Sequence, residues 1–461
     1  MKKIFALTMA AALMAGLFAG CQKPQTESAI VQESTVSVEV GAAPETEATT
    51  QETVPETTAE PETAAEVPVG PNLVPEPTAK LLNASVERYY EIAQAKDNRQ
   101  IYEITVPKAV AEGDFTALNE SLARDFGIEY DYIQGRRQEF MDTFRAQGAE
   151  EFSNHCAKAE GVVCRADSSV FSMRTAELWD NGGSVELLVN GYNYRTSDGT
   201  LLTAADVFKD IDLLKSVLQK TLSAEYPDSG FFDLENDLKT YDASLLPTAK
   251  NATSPIFSFA LTTDAAVFWF NKYELAPGAS GNQTVILPYR DYAYLINEEF
   301  LLASRDYVTP LEPDVTNLIS GREIKVTEAW NESGAAIDGV AVTVDGKEST
   351  IPAFCSSQST YAVVKDGKVW LYVFRDCDDD EKYITVIDCN GEAAAIGEFE
   401  GGLSKEWEQK TAEAPLADTS TAASVTTIKQ FTDPASFVLS AGKNGPAATY
   451  TVSETGMPEK K

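Results

Sequence analysis

The chain has 461 residues, with 37 Lys and Arg against 71 Asp and Glu, and its formal net charge is −34. Nucleic-acid binding and direct adsorption to an anionic membrane both require clustered basic residues, so this balance argues against them. One histidine is too few for metal sites built on two histidine ligands, and the sequence predicts no cofactor.

Residues 1–20 are predicted to be a lipoprotein signal peptide. Lys2 and Lys3 precede an uncharged apolar run, which is the pattern of a secretory signal. The run ends in Leu17-Phe18-Ala19-Gly20-Cys21, which resembles a bacterial lipobox except that Phe18 stands where Leu is usual. We expect Cys21 to carry the lipid, placing the protein on the extracytoplasmic face of the cell membrane through this anchor alone. The alternative is an uncleaved signal anchor.

Residues 21–80 are predicted to be a disordered acidic stalk rich in Thr, Glu, Pro and Ala. They contain no aromatic residue, and 22–80 hold 11 Glu and two Lys. Such a composition buries too little apolar area to offset the entropy lost on folding. The stalk carries −9 of the net charge and 81–461 carry −27, the two signal lysines making up the difference.

Residues 81–302 are predicted to form an α+β domain, an antiparallel sheet with packed helices. Apolar residues at helical spacing predict a long helix over 114–151, interrupted at Gly127 or Gly135 if at all. Pro107 is expected to end the strand before this helix, because proline has no N–H. Strands are predicted over 86–94, 101–106, 169–178, 184–194, 256–261, 266–270 and 284–287.

Three further features of this region predict local structure or chemistry. Thr203 is expected to cap a short helix, and 289–300 are predicted to form a closing helix. His155 is expected at the surface, at a helix end, rather than as a catalytic base, because no nucleophile elbow accompanies it.

Part of this region resembles the extracellular domain of RsiV-type anti-sigma factors, which also occurs in PdaC-type peptidoglycan deacetylases. The resemblance covers about 84–302 and is most specific in its last segment. It is carried by Tyr102-Glu103-Ile104 with Val106-Pro107, by Tyr192-Asn193-Tyr194 through Asp206-Val207-Phe208, and by Phe268-Trp269-Phe270-Asn271-Lys272-Tyr273-Glu274-Leu275-Ala276-Pro277-Gly278 with Val285-Ile286-Leu287-Pro288-Tyr289.

The resemblance implies an extracytoplasmic binding module. In RsiV-type proteins this domain binds lysozyme. The anti-sigma role is not expected here, because a lipobox stands where those proteins have a cytoplasmic segment and a spanning helix. The deacetylase metal site is not expected either, because the chain has one histidine.

Residues 303–461 are predicted to form a mainly-β domain, a sandwich or half-barrel. Asx-Gly pairs at 345–346, 366–367 and 390–391 lie between apolar runs and predict hairpin turns, and 360–399 are predicted to be a four-stranded meander. The Ala, Thr and Ser-rich stretch 413–427 is predicted to be a loop.

The acidic stretch 376–381 is the best candidate for a cation site. Asp376, Asp378 and Asp380 have the spacing of the first three ligands of an EF-hand, but the glycine and glutamate that complete that motif are missing. Weak calcium binding and a solvated hairpin tip are therefore the two alternatives.

Cysteines and aromatic residues give the remaining candidates. Cys156 and Cys164 are eight residues apart, and an export route permits a disulfide between them. Cys355 could instead pair with Cys377 or Cys389. Trp269, Tyr273 and Tyr289 are candidate ligand contacts, with core packing as the alternative.

The sequence thus predicts a lipid-anchored binding protein of the bacterial cell envelope. It favours binding over enzymatic activity. The expected partner is a cationic protein such as lysozyme or a cell-wall glycan, with the net charge favouring the former. The alternatives are an enzyme that acts on envelope glycans through Asp and Glu pairs, and a structural lipoprotein.

Overall fold

The computed structural model describes residues 73–147, 155–180, 185–249, 253–331, 336–377, 381–410, 419–442 and 445–461. The predicted signal peptide, Cys21 and the stalk up to residue 72 lie outside the described residues. Over the part that is described, no helix is long and apolar enough to cross a membrane.

A seven-stranded sheet forms the first part of the molecule, in the order β18-β19-β1-β2-β3-β4-β5. Neighbouring strands are antiparallel except β2 and β3, which are parallel. The strands are β1 (Ala84–Ala95), β2 (Gln100–Ala111), β3 (His155–Ala166), β4 (Val170–Asp180), β5 (Val185–Arg195), β18 (Lys405–Lys410) and β19 (Thr419–Lys429).

Helix α1 (Thr116–Gln147) connects β2 to β3 and packs on one face of this sheet. It is continuous through both Gly127 and Gly135, where a methyl group would meet no atom within 4 Å. The predicted helix is therefore confirmed without a break. Phe140 of α1 lies edge-on to the His155 ring, with centroids 5.1 Å apart. The surface position predicted for His155 is wrong, because this residue is buried at the start of β3.

Strand β2 continues through Pro107 to Ala111, so the predicted strand end is wrong. Pro107 pairs with Arg88 of β1, but the parallel pairing of β2 with β3 stops at Thr105. At Pro107 no backbone hydrogen bond to β3 is therefore required, so the missing N–H of proline does not interrupt the sheet. Gly161 of β3 instead admits the proline ring, because a methyl group there would lie 2.9 Å from Pro107 Cβ.

Short helices and a three-stranded antiparallel sheet form the next part. Thr203 caps α2, and Asp206 completes a capping box, which confirms the prediction. The predicted closing helix over 289–300 is instead two short helices around a 3₁₀ turn at Ala293–Leu295. The elements are α2 (Ala204–Val207), α3 (Ile211–Glu225), α4 (Leu234–Thr240), β6 (Ser258–Leu261), β7 (Ala265–Phe270), β8 (Gln283–Pro288), α5 (Tyr289–Tyr292) and α6 (Glu298–Leu301).

The rest of the described chain is mainly β, as predicted. An eight-stranded sheet, in the order β22-β21-β20-β17-β16-β15-β14-β9, packs against a four-stranded sheet in the order β10-β11-β12-β13. The strands are β9 (Tyr307–Pro310), β10 (Thr316–Ile319), β11 (Arg322–Trp330), β12 (Ile337–Val344), β13 (Lys347–Cys355), β14 (Ser357–Lys365), β15 (Lys368–Asp376), β16 (Lys382–Asp388), β17 (Ala394–Leu403), β20 (Phe437–Ala441), β21 (Ala447–Val452) and β22 (Pro458–Lys460).

Local turn chemistry sets the register of these strands. Asp345-Gly346 and Asp366-Gly367 both have positive φ at the two turn residues, as a type I′ hairpin turn requires. Strands β14 to β17 form the predicted meander.

The C-terminal part also completes the first sheet. Strand β19 pairs with β1 along eleven residues and with β18 on its other side. The predicted loop over 413–427 is therefore wrong from Thr419 onward, because its small and β-branched residues pack well between two strands. The boundary predicted at 302 and 303 stays a prediction, although this sheet contains strands from both sides of it.

Candidate functional site

A cleft of about 240 Å³ lies between the seven-stranded and the eight-stranded sheet. Strands β1, β3, β4, β18 and β19 line one side of it, and β14 to β17 line the other. A smaller cavity of about 70 Å³ adjoins it and shares Arg174, Gln358 and Tyr361. Phe374 and Tyr361 belong to the apolar core beneath the cleft and give it a rigid floor.

A strand that changes sheets builds the wall of this cleft. Strand β17 pairs with β16 up to Glu400, then turns to β20, and the chain enters β18 at Lys405. Gly401 has a φ of 147°, and a methyl group there would lie 2.2 Å from Ser440 O, so only glycine permits this passage. At Gly402 a methyl group would lie 3.4 Å from Lys382 Cδ, so this second glycine leaves room for the lysine stem.

The side chains that line the cleft are strongly basic, although the chain is strongly acidic. Two carboxylates line it, Glu160 and Asp376. They face five cationic side chains: Arg88, Arg174, Arg375, Lys382 and Lys405. A local excess of positive charge between low-dielectric walls focuses the field and attracts anions.

Ion pairs compensate four of these five cations, whereas Lys405 has no such pair. Arg88 pairs with Glu160 at 2.5 Å, and Lys382 lies 3.4 Å from Asp376. Arg174 and Arg375 pair with Glu312 and Glu398, and these two carboxylates do not line the cleft. Among the described carboxylates, none lies within ion-pair distance of Lys405, although Asp376 is near enough to attract its ammonium group.

The surroundings of Lys405 disfavour its charged form. Lys405 is exposed to solvent, as is the rest of β18. Partial desolvation by the groups around it, followed by the neighbouring Lys382 ammonium, lowers its pKa to about 8. Arg375 lines the same cleft; its side chain is 7% exposed and its Nε lacks a hydrogen-bond partner. The site therefore holds cationic donors whose charge or hydrogen bonds a bound anion would satisfy.

An exposed tryptophan stands beside the cleft. Trp407 pairs with Thr426 of β19, and Thr426 pairs with Arg88 of β1. Directly paired residues project from the same face of a sheet, so Trp407 shares the cleft face with Arg88. Its side chain is 71% exposed, and it lies two residues after Lys405 on one strand.

The aromatic residues predicted to contact a ligand do not form a site. Trp269 is buried and donates its indole N–H to Glu312 at 3.2 Å, and Tyr289 is buried and donates to Thr262 O at 3.1 Å. The burial of these two favours core packing, the alternative that the sequence left open, and ligand contact there stays a prediction. Tyr273 is 61% exposed, with Lys272 Nζ 5.0 Å from its ring centre, and stays a candidate by itself.

The structure describes one of the three aspartates of the predicted calcium site. Asp378 and Asp380 lie outside the described residues, whereas Asp376 lies in the basic cleft against Lys382. The described residues contain no group of three His, Cys, Asp or Glu that could hold a metal ion. Calcium binding stays a prediction, and the neighbouring ammonium groups oppose a cation at Asp376.

The structure excludes the predicted disulfide between Cys156 and Cys164. Both lie on the single strand β3, and eight residues of extended chain span roughly 26 Å. A disulfide needs Cα atoms within about 7 Å of each other. Of the alternatives for Cys355, Cys389 is buried in the sandwich core, while Cys377 Sγ lies 3.3 Å from Phe354 O, the residue before Cys355.

Sequence reasoning missed the basic cleft because its cations are scattered from residue 88 to residue 405. One signal was available: adjacent glycines inside a strand pattern, as at Gly401 and Gly402, mark a bulge or a close backbone approach.

The described fold defines an α+β protein with a mainly-β C-terminal part and a basic inter-sheet cleft. Residues 205–290 match the family model described as "Protein of unknown function (DUF3298)", and the chain thus contains a DUF3298 domain. This match runs from α2 to the start of α5, and the residues that line the cleft lie outside it.

Solved structures of DUF3298 family proteins are among the matches to this chain. A DUF3298 family member from Bacteroides fragilis is 16% identical, with a TM-score of 0.37, and the match covers 49% of this chain and 98% of that one. A DUF3298 family protein from Pseudomonas aeruginosa is 13% identical, with a TM-score of 0.31, covering 49% of this chain and 97% of that one. No curated protein matches the chain.

Proposed function

We propose that this protein is a lipid-anchored, extracytoplasmic binding protein of the bacterial cell envelope, and that the inter-sheet cleft is its ligand-binding site. The lipobox that ends at Cys21 and the stalk support the location. The RsiV-like resemblance over 84–302 supports binding as the activity. The proposal depends most on one observation: an acidic chain gathers five cationic side chains in one cleft, and Lys405 among them has no ion-pair partner in the described residues.

The charge of the cleft favours a cell-wall glycan as the ligand. Envelope polymers carry carboxylate or phosphate groups, which charge-assisted hydrogen bonds from Lys and Arg recognise. A cationic protein would be repelled by the same groups. The ligand would enter between the two sheets, where the walls exclude water and strengthen these interactions.

A cationic protein such as lysozyme is the second candidate, and the net charge of −27 over 81–461 favours it. Such a partner would bind the outer surface rather than the cleft. Its association would be fast at low ionic strength and would weaken as salt is added.

Hydrolysis of a glycan is less well supported by the cleft. Burial raises the pKa of Glu160, but the Arg88 guanidinium opposes this shift and pairs with the carboxylate. Asp376 is paired with Lys382. Both carboxylates that line the cleft are thus held in ion pairs, whereas a glycosidase needs two carboxyl groups that are available to the glycosidic bond.

Retention on purified cell wall tests the proposal. The lipid-free chain from residue 22 onward is expected to sediment with the wall, and K382Q/K405Q is expected to lose most of this retention. The matched control K347Q/K460Q removes two exposed lysines outside the cleft and should behave as the unchanged chain.

Three results would contradict the proposal. Equal retention of both double variants would remove the cleft as the binding site. Salt-sensitive binding to lysozyme without retention on the wall would assign the second candidate. Release of reducing ends from the wall would indicate hydrolysis instead of binding.

A further inference from the structure

We propose that the cleft selects an acidic saccharide, with the acidic group held between Lys382 and Lys405 and the sugar ring packed against Trp407. This inference rests on the proposed binding function and specifies its ligand. The shared chemistry is a pyranose that carries a carboxylate or a phosphate.

The anionic end of the ligand is placed by the two lysines. Lys382 and Lys405 come from different strands, β16 and β18, and their ammonium groups lie close enough to interact directly. Asp376 lies 3.4 Å from Lys382, and among the described carboxylates none pairs with Lys405. An anion between the two ammonium groups would neutralise their repulsion and accept a hydrogen bond from each.

A third donor lies in the same wall. Arg375 comes from β15, which pairs with β16, and its buried guanidinium lies 5.4 Å from the Tyr383 ring centre. Its Nε lacks a hydrogen-bond partner, although the guanidinium pairs with Glu398 and donates to Phe354 O at 3.0 Å. The Nε itself is buried out of reach of a ligand, so Arg375 contributes positive charge to this wall of the cleft.

The sugar end of the ligand is placed by Trp407. Residues two apart on a strand point to the same side and lie roughly 7 Å apart, so the indole stands about one sugar ring from Lys405. The C–H face of a pyranose packs on an aromatic ring, and an indole is the largest such surface in proteins. An indole that is 71% exposed on the cleft face has this contact area free.

The size of the cleft limits the ligand to a short saccharide. Sites for drug-sized molecules measure roughly 300–1,000 Å³, and this cleft measures about 240 Å³. One sugar or the end of a glycan chain fits this space, whereas an extended polymer does not. The cleft would therefore recognise a chain end or a released fragment.

Calorimetric titration of the lipid-free chain with small sugars tests this inference. The probes are N-acetylmuramic acid for the carboxylate, glucosamine 6-phosphate for the phosphate, and N-acetylglucosamine as the neutral comparison. At least one acidic sugar is expected to bind tenfold or more tightly than the neutral one. The stronger of the two identifies the acidic group that the site prefers.

Three variants separate the two ends of the site. K382Q/K405Q should reduce affinity for the acidic sugar at least tenfold and leave the neutral sugar unaffected. W407A should weaken both sugars by a similar factor, because ring stacking does not depend on charge. K347Q/K460Q should change neither, and unfolding temperatures of all variants should show that each is folded.

The inference is overturned if acidic and neutral sugars bind equally, if none of the three binds, or if K382Q/K405Q binds the acidic sugars normally. The proposed function can fail separately. Wall retention that depends on the cleft, without binding of any acidic sugar, would keep the binding function and reject this ligand class.

Discussion

A few residues with buried charge connect the parts of this molecule. Glu312 accepts a hydrogen bond from the Trp269 indole and pairs with Arg174, which lines the cleft. The side chains of Arg174 and Glu312 are 14% and 11% exposed. Glu312 follows β9 by two residues, and its side chain joins the three-stranded sheet to the wall of the cleft.

Replacing Glu312 with Ala is therefore expected to lower the free energy of unfolding by about 3–5 kcal/mol, because it leaves a buried guanidinium unpaired. E323A is the control: Glu323 pairs with Arg290 at the surface, and its loss should cost less than about 1 kcal/mol. Urea unfolding measures both changes. Similar losses for the two variants would show that the Glu312 network contributes little to stability.

Among the secondary structure elements, β5 and β6 approach each other unusually closely. A methyl group on Gly191 of β5 would lie 2.0 Å from Phe259 O and 2.3 Å from the same carbonyl carbon. Asn193 of β5 donates to Phe259 O at 2.8 Å, and Leu261 N donates to the Asn193 side chain at 2.8 Å. The seven-stranded sheet thus packs directly, backbone against backbone, on the sheet of the DUF3298 domain.

G191A should separate these strands and cost about 3 kcal/mol, the upper end of the usual range for overpacking. The same change at Gly135, in the middle of α1, meets no atom within 4 Å and should stabilise the protein by about 0.5–1 kcal/mol. Guanidinium unfolding of both variants gives the comparison. A neutral G191A would indicate that the two sheets are not in close contact in solution.

At the scale of the whole molecule, the chain returns to its first sheet near its end. Strand β19 pairs with β1 from Ser85↔Lys429 to Ala95↔Thr419. The sheet of the N-terminal part is therefore completed by residues more than 300 positions away, and the cleft exists because both parts are present.

A fragment of residues 81–302 is accordingly expected to be less stable than residues 73–461. Without β19, the full length of β1 becomes an exposed edge that can pair with other chains. Thermal unfolding should begin at a lower temperature for the fragment, and light scattering should show association. A monomeric fragment with an unchanged midpoint would support the domain boundary predicted from the sequence.

Local patterns in the sequence determined much of this architecture. The long helix, the Thr203 cap, the Asp-Gly turns and the meander over 360–399 each depend on residues close together in the chain, so periodicity and turn chemistry were sufficient to predict them. Composition alone gave the acidic character. The signal peptide and the stalk stay predictions. Predictions failed where a long-range partner changed the local preference, as at Pro107 and His155.

The tertiary structure decided what the sequence left open. The pairing of β19 with β1 cannot be read from a stretch rich in Ala, Thr and Ser, because its register depends on a distant strand. The cleft brings together cations from β1, β4, β15, β16 and β18, each ordinary where it stands in the sequence. Charge in the sequence is a sum, whereas a binding site depends on which charges folding places side by side.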